Sequence, residues 1–151
     1  MITDQQAMEE ALVEARSAAQ AGEVPIGAVI VRDGEIVARG QNRVLRDNDP
    51  TAHAEIVALR EAARILGNYR LNGCSLFVTL EPCAMCAGAM IHARLDRVLF
   101  AAADPKAGAC GSVLSVLNHP QLNHQMLVER GIMADEAAEL LRSFFRERRS
   151  V

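Results

Sequence analysis

Near the N-terminus, Met8, Leu12, Ala15 and Ala19 recur at helical spacing and define a face turned to the core. Thr3, with Gln6 three residues on, forms a capping-box pattern that opens this helix, and Gly22 suits a left-handed stop. Two apolar runs follow, 27–31 and 35–38, flanking Arg32-Asp33-Gly34. Asp-Gly between such runs predicts an antiparallel hairpin. A polar loop runs from Asn42 through Arg46, Asp47, Asn48 and Asp49 to Pro50. Helical spacing returns with Ile56, Leu59, Ala63 and Leu66 and stops at Gly67. Residues 75–80 and 97–103 read as buried strands, and Pro82 opens a helix between them that reaches about Arg94. Strand, helix and strand with short connections predict a parallel pair joined by a right-handed crossover. Residues 126–128 predict a short edge strand, and a last helix from about Asp135 carries Ala137, Leu140, Leu141 and Phe144 inward. The expected class is α/β, with one domain over residues 1–151.

Composition narrows this picture. Half of the residues are hydrophobic, enough for a packed core and too many for a disordered chain. No apolar run approaches a membrane span, and Met1-Ile2-Thr3-Asp4 lacks the opening of a signal peptide, so the expected location is the cytoplasm. A net charge of -3 argues weakly against nucleic-acid binding. The charge is uneven, however: Arg142, Arg146, Arg148 and Arg149 crowd the C-terminus against Glu147, and such a basic tail can bind RNA locally.

The chemistry lies in two short segments, Thr51-Ala-His53-Ala-Glu55 and Glu81-Pro82-Cys83-Ala-Met-Cys86. One imidazole and two thiolates make three ligands for a tetrahedral ion, leaving the fourth position to water, as in a catalytic zinc site. A thioredoxin-like redox pair is the competing reading of C-x-x-C. A structural zinc site would need a further ligand, and only Cys74 or Cys110 can supply sulfur; both otherwise read as buried small side chains. Cys83 and Cys86, three residues apart, share a helix face near its N-terminus, where the thiolate form is favoured. Residues two apart on a regular helix are separated by roughly 200°, so His53 and Glu55 can share a site only if His53 sits at the helix end. Glu55 is better suited to moving protons than to holding metal. Asn42 reads as a turn residue bonding its own backbone.

In this order, H-x-E and then P-C-x-x-C resemble the signature of zinc-dependent nucleobase deaminases. The resemblance extends to a narrower family. The stretches 51–56, 79–92, 104–112, 118–120, 122–124 and 140–146 are similar to those of the bacterial tRNA-specific adenosine deaminases. It implies a cytidine-deaminase-like three-layer α/β/α sandwich with a central mixed sheet of about five strands. It implies a homodimer holding one Zn²⁺ per subunit through His53, Cys83 and Cys86, with Glu55 as proton shuttle. The implied substrate is the wobble adenosine in the anticodon stem-loop of an arginine tRNA, converted to inosine. Asn42 would then bind the flipped base, and the backbone N–H of Ala54 would hold the reacting centre. Asp104, Lys106, Asn123, Phe145 and Arg149 match regions similar to the family's anticodon-loop surface, although Phe145 can equally be a core residue beside Phe144. A deaminase of a free base or nucleoside (cytosine, guanine or cytidine) is the alternative enzyme, and a zinc module that only binds RNA is the alternative from another class.

Overall fold

The computed structural model describes residues 1–149, the last of them by its backbone alone. The elements run α1 (Asp4–Gln20), β1 (Gly27–Arg32), β2 (Glu35–Gln41), α2 (Ala54–Leu66), β3 (Cys74–Leu80), α3 (Ala84–Ala93), β4 (Arg97–Ala102), β5 (Leu127–Arg130) and α4 (Ala134–Arg149). The strands form one mixed sheet in the order β2-β1-β3-β4-β5. β1 is antiparallel to both β2 and β3, whereas β3, β4 and β5 are parallel.

Local sequence accounts for the element ends. Thr3 and Gln6 complete the expected capping box on α1. Asp33 and Gly34 both take positive φ (52° and 77°), as a two-residue hairpin turn requires. α2 ends at Gly67 in the left-handed conformation. Ala18 rather than Ala19 completes the buried stripe of α1, because the helix face rotates slightly along its length. The expected edge strand at 126–128 is β5, which begins and ends slightly later and lies parallel beside β4.

Alternating strand residues serve the two faces of the sheet, as the pleat demands. Ala28, Ile30, Leu76, Val78, Val98 and Phe100 pack beneath α2 and α3. Val29, Phe77, Leu99 and Ala101 face α1 and, through Ala137, α4. Strands buried on both sides explain the continuous apolar runs in the sequence. The result is the α/β/α sandwich.

The sheet places the chemistry. β2 and β3 run in the same direction, each being antiparallel to β1, and β4 runs with them. Asn42, the Glu81-Pro82-Cys83 turn and the loop from Ala103 therefore follow the carboxyl ends of β2, β3 and β4. That end is where open α/β sheets bind ligands.

Candidate metal centre and active site

α2 and α3 both begin at this end, and each gives its N-cap position to a metal-binding residue type. His53 caps α2 and Cys83 caps α3, both with extended backbone, and neither side chain caps its own helix. Such a position normally goes to Ser, Thr, Asp or Asn, whose loss costs about 1 kcal/mol. Here the side chains turn to one another. His53 at the helix boundary satisfies the requirement that it and Glu55 reach one site. Pro82 lies one residue before the cap rather than in the first turn, so it fixes the entry of the chain into α3 instead of occupying the helix.

The His53 Nδ1 lies 3.6 Å from Cys83 Sγ and 3.5 Å from Cys86 Sγ. Zinc at the usual Zn–S and Zn–N distances, in tetrahedral geometry, places S and N about 3.6 Å apart. The spacing and the soft-thiolate and imidazole donor set thus fit zinc. All three donor atoms lie within 4.8 Å of one another, and among the described residues no further His, Cys, Asp or Glu joins the group. Cys74 is buried and Cys110 half-buried, and neither belongs to the cluster. None of the four cysteines is in a disulfide.

Electrostatics reinforce the geometry. Hydrogen bonds with Cys86 and His53 hold the Cys83 thiol down at about 3 despite its burial. The Cys86 thiol is pushed up by its hydrogen bond with Cys83 and by burial, so the metal-free pair shares one proton. The hydrogen bond with Cys83 raises the His53 pKa. Metal binding must expel the remaining proton. Glu55, 4 % exposed, has its carboxyl raised to about 7, chiefly by burial, against the opposing pull of its own backbone N–H and of His53. A carboxyl group poised near neutrality beside a metal cluster can take up and release protons.

Asn42 departs from its expected turn role. It is buried, and its Oδ1 accepts the Ala54 N–H at 3.0 Å. The Asn42 side chain therefore serves the first turn of α2 in place of a capping His53. The Ala54 N–H, the expected contact to the reacting centre, donates to Asn42 in this structure. Two residues not singled out in the sequence hold this arrangement. Glu23, 2 % exposed, accepts the N–H groups of Leu45 (3.1 Å) and Arg46 (2.9 Å) and pairs with the Arg46 guanidinium. Arg46 in turn donates to the backbone carbonyl of Asn42. No periodicity marks Glu23, and its partners are distant in sequence.

Of the expected RNA contacts, Asp104, Lys106 and Phe145 line one groove between the loop after β4 and helix α4, together with Leu141, Arg142 and Arg148. Phe145 is 45 % exposed while Phe144 is buried, their rings meeting edge to face at 5.4 Å, so Phe145 is not a core residue. The Asp104 carboxylate accepts the N–H groups of Lys106 and Ala107 and shapes the loop that carries Lys106. Asn123 is exposed in the loop before β5 and is not one of the described residues lining the groove. The Arg149 side chain lies outside the described residues.

Comparisons with known proteins agree with this chemistry. A family model for MafB19-like deaminases matches residues 2–149. A tRNA-specific adenosine deaminase of Agrobacterium fabrum is 52 % identical over 142 residues, covering 94 % of this chain and 93 % of that protein. A solved structure from a study of A-to-I editing by tRNA:A34 deaminases superposes with a TM-score of 0.87 at 50 % identity, covering 89 % of this chain and 98 % of the other. A guanine deaminase from Nitrosomonas europaea superposes with a TM-score of 0.81 at 27 % identity, covering 95 % of this chain and 85 % of the other.

Proposed function

The chain belongs to the MafB19-like deaminase family, alongside the tRNA-specific adenosine deaminases, and from that membership we propose that it converts adenosine to inosine at the wobble position of an arginine tRNA. The observation that carries this reading is a cluster of three metal donors, with no fourth among the described residues, beside a buried carboxylate tuned to about 7.

His53, Cys83 and Cys86 hold one zinc ion per subunit, which when bound supplies a water acidified enough to act as nucleophile. Glu55 carries the protons. As a carboxylate it removes one from the attacking water and delivers it to a ring nitrogen of the purine. It next takes the proton of the hydroxyl now on the amine-bearing carbon and passes it to the departing amine, so that adenosine and water become inosine and ammonia and Glu55 returns to its starting state. Asn42, its oxygen fixed on Ala54, offers its amide nitrogen to the flipped base. Ala54 acts by fixing that side chain.

Recognition of the anticodon stem-loop falls to the groove beside α4, where an exposed aromatic ring stands among Lys106, Arg142 and Arg148. An aromatic face with nearby cations is a general means of holding unpaired nucleotides. Asp104 shapes this surface, and Asn123 and Arg149 are candidates to extend it. An apolar cleft between α2 and α3, lined by Ile56, Leu59, Tyr69, Leu71 and Ala89, supports pairing of two chains across these helices, which sedimentation would report as a dimer. Among the described residues no helix is long and apolar enough to cross a membrane, in keeping with an enzyme acting on tRNA in the cytoplasm.

The decisive experiment incubates the purified protein with an arginine tRNA anticodon stem-loop and looks for inosine at the first anticodon base. Glu55→Ala should lower the rate by about 10²–10⁴-fold while zinc content and RNA binding persist. Activity surviving that change refutes Glu55 as shuttle. The likeness to a guanine deaminase supplies the second reading, a free-base enzyme. Turnover of free guanine or adenosine as fast as the stem-loop would favour it.

A further inference from the structure

Glu81 stands two residues before Cys83 at the end of β3 and is 2 % exposed, although the strand it follows is apolar. Its carboxylate faces the 104–112 loop. Oε1 accepts the Asp104 N–H at 3.0 Å and the Ser112 hydroxyl. Oε2 accepts the N–H groups of Cys110 at 2.9 Å and Ser112 at 3.2 Å. One buried anion thus gathers both ends of a loop that carries Lys106 at its exposed tip. The loop is also fixed to the next residue, since the Ala109 N–H donates to the Pro82 carbonyl at 2.8 Å.

A second observation points the same way. Gly108 packs against this carboxyl so closely that a Cβ there would collide with the Glu81 side chain and with the Asp104 carbonyl. The loop has a hole shaped around Glu81. Loops ordinarily close through their own turns and tolerate substitution. This one is anchored through charge-assisted hydrogen bonds, roughly twice as strong as neutral ones.

We propose that Glu81 is a positioning residue that locks the Lys106-bearing loop onto the turn supplying Cys83, making the RNA grip and the metal centre one rigid unit. Charge on the carboxylate matters because an amide cannot replace it. Whichever way a glutamine turns, its NH₂ faces at least one backbone N–H of Asp104, Cys110 or Ser112. The loop then loses its anchor while Cys83, held by α3, stays in place. The effect should fall on substrate capture rather than on the chemical step. This inference rests on the RNA-deaminase reading.

The test measures KM and kcat on the stem-loop, together with zinc content, for the wild type, Glu81→Gln and Ser112→Ala. Glu81→Gln should raise KM about tenfold or more, the worth of one charge-assisted hydrogen bond. Its kcat at saturation should stay within about threefold, with zinc at the wild-type level. Ser112→Ala, which removes one donor from an exposed residue, should shift KM the same way by about threefold. In a Lys106→Ala background, Glu81→Gln should add less than it does alone, because both act through one loop. Unchanged KM in Glu81→Gln overturns the proposal, as does a loss of activity that merely parallels loss of zinc. If Glu81→Gln does not fold, Ser112→Ala decides by the same KM criterion. Failure of the wild type to act on the stem-loop would instead sink the RNA reading itself, before any variant is compared.

Discussion

Glu23 sits under the Asn42 loop as a buried carboxylate whose partners are mostly backbone N–H groups and one guanidinium. Burial pushes its pKa up, but the hydrogen bonds from Arg46 and Leu45 outweigh it and hold the carboxyl below its ordinary 4.5. The unfolded chain therefore binds this proton at higher pH than the folded one. The stability Glu23 contributes is fully present above 4.5 and is lost as pH falls through the lower folded value. Glu23→Gln should cost about 2 kcal/mol at neutral pH, because it weakens charge-assisted bonds at a buried site. It should also flatten the acid side of the stability curve. Urea unfolding at several pH values would measure both, and an equal cost at every pH would refute the linkage. The same residue shows where sequence reading stops. His53, Glu55, Cys83 and Cys86 were legible because each pair lies within one helical turn and its chemistry is local. Asn42 looked like a turn residue because its partner Ala54 lies 12 positions on, and nothing local distinguishes a long-range acceptor from a self-bonded one.

At the level of elements, the hairpin, the helix stops and the buried strands were written in turn chemistry and apolar runs. The strand order was not. Nothing in the β5 segment announces that it lies parallel on β4, since pairing is set by what the rest of the sheet leaves open. The packing of α2 was equally hidden, and it decides where His53 points. Gly40 of β2 lets the first turn of α2 rest on the strand; an added Cβ would strike the Ala54 carbonyl and approach the Ala58 nitrogen to 2.6 Å. Gly40→Ala should therefore lift the N-terminal end of α2. Overpacking of this kind costs about 1–3 kcal/mol, or roughly 5–10 °C in Tm at the upper end. Zinc affinity should fall with it, because His53 stands at the N-cap position of that turn. Gly67, at the other end of the same helix, has open space around it but a φ of +68°. Gly67→Ala should cost about 1–2 kcal/mol of backbone strain and leave zinc affinity unchanged. Thermal melts with a zinc titration distinguish the two. Equal loss of metal in both variants would show that α2 moves as a rigid rod and that Gly40 has no special role.

Across the whole molecule, a net charge of -3 and a polyanionic substrate are in apparent conflict. The conflict resolves if recognition is local. Lys106, Arg142 and Arg148 border one groove at the end of the sheet that carries the metal cluster, while Arg97, Arg39 and Arg64 are paired with acidic neighbours elsewhere. Even in the groove the cations are partly committed: Arg142 pairs with Glu139 at 3.0 Å, and Arg148 donates to the Gly22 carbonyl and stacks on Phe144. Two or three phosphate contacts are then the reasonable expectation rather than a broad basic face. Each contact to a single strand contributes a slope of about -0.7 in log affinity against log salt. A fourfold rise in salt should accordingly weaken stem-loop binding by roughly 7–18-fold. Fluorescence anisotropy with a labelled stem-loop, repeated across a salt series, gives the slope directly. A flat response would mean that the RNA is held by stacking and base contacts alone. A slope of six or more contacts would require a second chain to contribute cations. An intermediate slope that falls by about one contact in Lys106→Ala would place the phosphate backbone at the loop anchored by Glu81.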